Sequence, residues 1–313
     1  MASFFHSFLR TLGFFFGIFI FILTIIAFSI FTYNGSSDNF VLIDGEKKSK
    51  NTIFILEISG PIIENASSIN EFIGINIISP SAVEQTLNKV LELNPNILIV
   101  SINSPGGTVS SSNKLYKIFL NFKKKTNSKI FFHTSELLAS GGYWTSLAGD
   151  KIYASYGSIL GSIGVKGPDW FYFNKPKLIS SGFFGQTIEV HNEIEVYSTN
   201  AGNSKDLFNS FRKPTNEELN HLEKVVDDIY EDFLNLVSRS RKIETHIIEK
   251  DIGGLIFNSL QAQNNYLIDA ELSLDELLNK IVRENEYESY KIYKNHLQNN
   301  FFIDKLVYFK FFQ

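Results

Sequence analysis

Residues 97–102 read Ile-Leu-Ile-Val-Ser-Ile, an almost wholly apolar strand candidate. A strand with one wet face alternates apolar and polar side chains. A nearly continuous apolar run of this length instead belongs to a strand covered on both faces, as in a parallel sheet. The flanking sequence supplies the covering helices. Residues 82–93 carry Val83, Leu87, Val90 and Leu91 at helical spacing, and residues 108–125 place Leu115, Ile118, Phe119 and Phe122 on one face. The second helix is expected to end in Lys123, Lys124 and Lys125, which complement its C-terminal dipole. Residues 52–58 and 129–134 read as further strands, the first stopped by Ser59-Gly60-Pro61. Alternating strands and helices predict an α/β domain with a mostly parallel sheet. The longest soluble helix is expected over 216–242, with Leu219, Leu222, Val225, Val226, Ile229, Phe233, Leu236 and Val237 in step.

A second feature stands apart from this pattern. Residues 11–33 form a 23-residue run without a charge. As a helix it spans roughly 35 Å, enough for a hydrocarbon layer of about 30 Å. A cleavable signal peptide has a shorter apolar region ending in a small-x-small site. This run exits at Phe31-Thr32-Tyr33-Asn34, so an uncleaved anchor is the expectation. Arg10 before the span favours a cytoplasmic N-terminus, while Lys47, Lys48 and Lys50 beyond it argue the other way. The expected organisation is an N-terminal tail (1–10), a transmembrane anchor (11–33), a polar stalk (34–50), a catalytic domain (51–290) and an apolar C-terminal tail (291–313).

Composition removes several function classes. The 313 residues contain no Cys, which excludes disulfide scaffolds, Cys zinc sites and thiol catalysis. Lys and Arg number 29 against 33 Asp and Glu, so no basic excess exists to neutralise nucleic-acid phosphates. No HExxH pair or Walker-type loop occurs, and neither a metal nor a cofactor is expected. His133 ends a strand shortly before the next motif and reads as a structural histidine.

Two glycine-rich segments follow strands. Asn103-Ser104-Pro105-Gly106-Gly107 comes after the 97–102 strand, and Ala139-Ser140-Gly141-Gly142-Tyr143-Trp144 comes soon after the 129–134 strand. Either alone could be a tight turn that uses glycine for its backbone freedom. Together they place a hydroxyl and two backbone N–H donors at adjacent strand ends, the usual site position in an open α/β sheet. Ser140 could attack a carbonyl while the amides of Gly107 and Gly141 hold the oxyanion.

A third segment, Gly161-Ser162-Ile163-Gly164-Val165, completes a recognisable set with Gly149-Asp-Lys-Ile-Tyr-Ala154. In this order the motifs resemble the signal peptide peptidase A family (protease IV), a single-copy short form, over roughly residues 52–280. The resemblance implies a crotonase/Clp-like α/β fold and a Ser–Lys dyad. Ser140 would be the nucleophile and Lys205, in Ser204-Lys205-Asp206 ahead of Pro214-Thr-Asn-Glu-Glu218, the general base. Ser162 would orient the lysine amine. Lys166, Lys175 and Lys177 are competitors for the base, each read as a surface lysine. Where the family usually has a glycine before its Leu-Val-Asp step, this chain has Tyr266 before Leu267-Ile-Asp269.

The resemblance further implies a membrane-anchored endopeptidase acting on remnant signal peptides or other apolar membrane-associated peptides. Its partners would be peptide substrates, membrane lipid and further copies of itself in a homo-oligomer. Its catalytic domain is expected on the extracytoplasmic (periplasmic) side of a bacterial inner membrane. The rival readings are a crotonase-superfamily acyl-CoA enzyme, which needs no dyad, and a non-catalytic membrane scaffold of the same fold.

Overall fold

The computed structural model describes residues 2–33, 40–64, 76–173, 178–182, 185–189 and 201–295. The chain divides into two units, Met1–Val41 and Leu42–Gln313.

The first unit is essentially one helix, α1 (Ala2–Tyr33). Its Phe4–Ile25 stretch is long and apolar enough to cross a membrane. The hydroxyls of Thr11 and Thr24 donate to the carbonyls of Ser7 and Phe21, so those polar atoms are satisfied within the helix. The helix begins well before residue 11, because nothing in residues 2–10 breaks it.

The second unit is built on a seven-stranded sheet ordered β1-β12-β2-β3-β4-β6-β11. Its strands are β1 (Phe40–Gly45), β2 (Thr52–Ser59), β3 (Ile97–Asn103), β4 (Lys129–Thr134), β6 (Lys151–Ala154), β11 (Ala270–Glu271) and β12 (Lys291–Asn295). From β12 to β11 every neighbouring pair is parallel. Helices α2 (Pro80–Val90), α3 (Val109–Thr126), α5 (Asn216–Arg241) and α7 (Leu274–Glu284) accompany it, with a short α4 (Gly141–Ser146) and α6 (Ser259–Asn264). A second sheet, β10-β7-β5, joins β5 (Leu137–Ala139), β7 (Ile159–Gly161) and β10 (Ile256–Asn258). A third is the hairpin of β8 (Leu178–Gly182) and β9 (Gly185–Glu189).

Side-chain alternation along the strands builds a core on each face. Ile53, Ile55, Ile97, Ile99, Phe131, Tyr153 and Ile292 pack with Leu277 and Ile281 of α7. On the other face, Phe132 meets Phe119 of α3 edge to face at 5.2 Å. Each such fully buried side chain is worth about 1.5–3 kcal/mol. Helix starts are set by local chemistry. Thr108 caps α3, and Thr215 and Ser273 make capping boxes with Glu218 and Glu276. Asn127 ends α3 in the left-handed conformation, just after the three lysines.

The sheet takes in two segments expected outside the catalytic domain. Residues 40–45 of the expected stalk form β1, and residues 291–295 of the expected tail form β12, which lies parallel to β2. The Glu46 amide donates to the Tyr290 carbonyl, the Lys291 amide to the Asn51 carbonyl, and the Tyr290 hydroxyl to Asp44. These pairings join backbone segments some 240 positions apart, which no local pattern announces. The rest of the expected stalk and tail, residues 34–39 and 296–313, lies outside the described residues.

Candidate active site

The β3 strand ends at Asn103, whose side chain organises the turn between β4 and β5. Its Oδ1 accepts from the Thr134 hydroxyl at 2.9 Å and from the amides of Ser135 at 3.2 Å and Glu136 at 2.9 Å. Its Nδ2 donates to the Ser135 hydroxyl at 3.0 Å. The turn is thereby tied to the end of β3. Backbone bonds then run from Ser104 to Leu137 and from Ala139 back to Ser104. In the sequence, the signal for this role of Asn103 is its position at a buried strand end before a turn.

The two glycine turns meet because neither carries side chains at the contact. Gly106, at φ +103°, lies so close to the Ser140 turn that a Cβ there would be 2.8 Å from the Gly141 nitrogen and 2.9 Å from the Ser140 Cβ. A Cβ on Gly141 would be 3.2 Å from the Gly107 nitrogen, and one on Gly107 would overlap the Ile62 carbonyl. Among the described residues, neither the Gly107 nor the Gly141 amide donates a hydrogen bond. Two unpaired amides beside a hydroxyl form the kind of donor pair that can hold an oxyanion.

Ser140 is half-buried at the start of α4, with φ 51° and ψ −122°. That conformation is strained for any residue with a Cβ and persists only where its surroundings hold it. Here the Ser140 amide donates to Gly161 and its carbonyl accepts from Trp144, both at 2.9 Å. Every residue of α4 is buried. The Tyr143 hydroxyl donates to the Leu267 carbonyl at 2.8 Å, and Trp144 packs on Phe233 of α5 at 4.8 Å. Burial pushes the Tyr143 phenol well above its ordinary range, so it stays a neutral donor.

Ser162 comes next to Ser140 through strand pairing. Ala139 of β5 is in register with Gly161 of β7, so the next residues, Ser140 and Ser162, leave neighbouring strand ends. Ser162 also has positive φ, at 52°, and its amide donates to Leu255 at 2.7 Å.

Lys205 is exposed, in a run of turns over residues 202–208. Among the described residues no hydrogen bond joins it to Ser140 or Ser162, so this chain brings together Ser140, Ser162, Gly107 and Gly141 without Lys205. Of the competing lysines, Lys166 is exposed and paired with Asp169 at 3.0 Å; Lys175 and Lys177 lie outside the described residues. His133 is buried within the main sheet, with Nε2 near the Leu272 carbonyl at 3.1 Å. Burial lowers its pKa, which keeps it neutral. Among the described residues no group of acidic or histidine side chains could hold a metal ion.

Arg212, which no sequence motif singles out, anchors an ion-pair cluster. Its guanidinium meets Asp206 through Nε at 2.7 Å and Nη2 at 2.8 Å, and Glu218 through Nη1 at 2.8 Å and Nη2 at 2.7 Å. The Arg212 guanidinium holds both carboxyls below the usual carboxylate range.

Known proteins resemble this chain along most of the second unit. The candidate protease MJ0651 of Methanocaldococcus jannaschii is 28% identical over 212 residues, covering 68% of this chain and 63% of its own. The candidate signal peptide peptidase SppA of Enterococcus faecium is 27% identical over 200 residues, covering 63% and 54%. The chain therefore spans somewhat more than half the length of each of these relatives. Among solved structures, a variant of the 1510-N membrane-bound stomatin-specific protease in complex with a substrate peptide aligns with a TM-score of 0.47 at 14% identity, covering 84% of this chain and 98% of its own. The family model for peptidase family S49 matches residues 122–288, which include the Ser140 turn, the Ser162 turn, the Lys205 turns and α5. With more than half of its length matched by that model, the chain belongs to peptidase family S49.

Proposed function

We propose that the protein is a membrane-anchored serine endopeptidase with a Ser140–Lys205 dyad. The observation that carries this reading is the meeting of the two glycine turns, with the unpaired Gly107 and Gly141 amides beside a strained, half-buried Ser140. Neutral Lys205 takes the Ser140 proton as Oγ attacks the scissile carbonyl carbon. The carbonyl oxygen becomes an oxyanion held by the two amides. Collapse expels the amine, which takes the proton back from the lysine, and water then cleaves the acyl-enzyme by the same route. Ser162 accepts or donates a hydrogen bond to the amine and orients it.

A general-base lysine must be neutral, and burial is what favours the neutral form. Lys205 is exposed in the single chain, which fits a site completed when a neighbouring protomer covers it in a homo-oligomer. We further propose that α1 anchors the chain in a bacterial inner membrane, with the catalytic domain on the extracytoplasmic side. The substrates there are remnant signal peptides and other apolar membrane-associated peptides. The peptidase domain of this reading runs from β1 to β12, residues 40–295. Turnover of a quenched apolar peptide by the detergent-solubilised protein tests the proposal. Activity is expected in the wild type and lost in a folded Ser140→Ala variant; equal turnover in the two refutes serine catalysis at this position.

A further inference from the structure

We propose that Arg212 is a positioning residue for the general base, holding the turn that carries Lys205 against the start of α5 through a double carboxylate fork. The inference rests on the reading of Lys205 as that base. Asp206 is the residue after Lys205, and Glu218 is the N3 residue of α5. One guanidinium engages both carboxylates in paired contacts of 2.7–2.8 Å, using Nε and both Nη atoms. Nη2 also donates to the Asp206 carbonyl at 3.4 Å and Nη1 to the Lys213 carbonyl at 3.2 Å. Such a planar fork fixes orientation as well as distance, which a flexible ammonium does not.

Each end of the fork is itself held. Glu218 is nearly fully buried and closes the capping box by accepting from the Thr215 amide at 2.9 Å, so its carboxylate is a fixed post on a long helix. The guanidinium lies over the Trp170 ring at 5.2 Å, and Trp170 packs on Phe208 at 5.3 Å. The Trp170 ring N–H donates to the Asn209 carbonyl, and the Phe173 amide to the Ser210 carbonyl. The segment leading away from Ser162 is thus joined to the turns around Lys205 at the arginine.

The turns need this support. Gly202, Ser204 and Phe208 all have positive φ, two of them without glycine's freedom. Strained backbone of this kind keeps its shape only where surrounding contacts over-determine it. Lys205 sits between Ser204 and Asp206, so the direction in which its amine projects depends on how those neighbours are held. Arg212 holds one of those neighbours, Asp206, through both its carboxylate and its carbonyl.

The test uses the full-length protein in detergent, the quenched apolar peptide, and the variants Lys205→Ala, Arg212→Ala, Arg212→Lys and Asp206→Asn. Arg212→Ala is expected to lower kcat by about 10- to 100-fold, as for a misplaced catalytic group, with KM changed less than about twofold. Guanidinium ion at sub-denaturing concentration is expected to restore part of that kcat in Arg212→Ala and none in Lys205→Ala. Arg212→Lys should stay low, because one ammonium cannot span both carboxylates. Wild-type kcat in Arg212→Ala overturns the inference, as does a loss that guanidinium leaves unchanged in a folded variant. If Arg212→Ala does not fold, Asp206→Asn carries the test, and wild-type kcat there is equally fatal. Full turnover by Lys205→Ala refutes the base assignment itself, an outcome separate from the others.

Discussion

Replacing Gly106 by alanine probes the contact between the two glycine turns more directly than removing the Ser140 hydroxyl does. The new Cβ would lie 2.8 Å from the Gly141 nitrogen, 2.9 Å from the Ser140 Cβ and 3.1 Å from the Ala139 carbonyl oxygen. Comfortable heavy-atom contacts lie near about 3.5 Å, so the turns must separate by roughly 0.6 Å. Overpacking of this kind destabilises by about 1–3 kcal/mol. The variant also carries the strain of an alanine at φ +103°, and a control isolates that part. Gly157 has φ +81° with nothing within 4 Å of its would-be Cβ, so Gly157→Ala bears backbone strain alone. The two variants should therefore differ by about 1–3 kcal/mol, or roughly 2–12 °C in melting temperature for a domain of this size. Tryptophan fluorescence tracks the melt, since Trp144 packs directly behind the elbow. In the peptide assay, Gly106→Ala should lose about 100-fold in kcat, because a shift of this size misplaces the amide donors. Gly157→Ala should keep wild-type kcat. Matching melts and matching kcat for the two variants would show that the turns do not depend on the close approach, and the reasoning would fail.

Glu218→Gln should flatten the acid limb of the stability profile. The Arg212 guanidinium holds the Glu218 carboxyl well below its ordinary value of about 4.5, so its stabilising effect is complete above that value and fades as pH falls beneath it. Denaturant midpoints measured downward from pH 6 should drop less steeply in the variant, and parallel curves would count against the fork. Tyr266, which is exposed and left-handed at φ 60°, should accept glycine with a gain of up to about 1 kcal/mol, read as a raised melting temperature; a lowered one contradicts the strain argument. Carbonate extraction of cells should leave the full-length protein in the membrane pellet, and release into the supernatant would sink the anchor reading.

Tyr266 illustrates how sequence and structure divide the explanation. The resemblance marked it as standing where a glycine is usual, and the backbone there is left-handed, the conformation glycine adopts without penalty. The helices expected from about residues 108 and 216 and the β4 strand over 129–134 were equally legible, because hydrophobic period acts over a few neighbouring residues. The serine elbow was legible as well, since its glycines are adjacent to it in the chain.

By itself the sequence determined the α/β alternation, the buried β3 strand, the apolar N-terminal helix and the order of the motifs. Each is written in local side-chain periodicity and turn chemistry. Tertiary structure alone decided that β1 and β12 join the sheet, because backbone pairing across some 240 residues depends on no local side-chain pattern. It also decided that the Gly106–Gly107 turn touches Ser140, that Asn103 ties two strand ends together, and that Arg212 clamps the Lys205 turns to α5. Those contacts turn on angles and on distances of 2.7–2.9 Å between distant segments, and such geometry exists only once the sheet has brought the strand ends side by side.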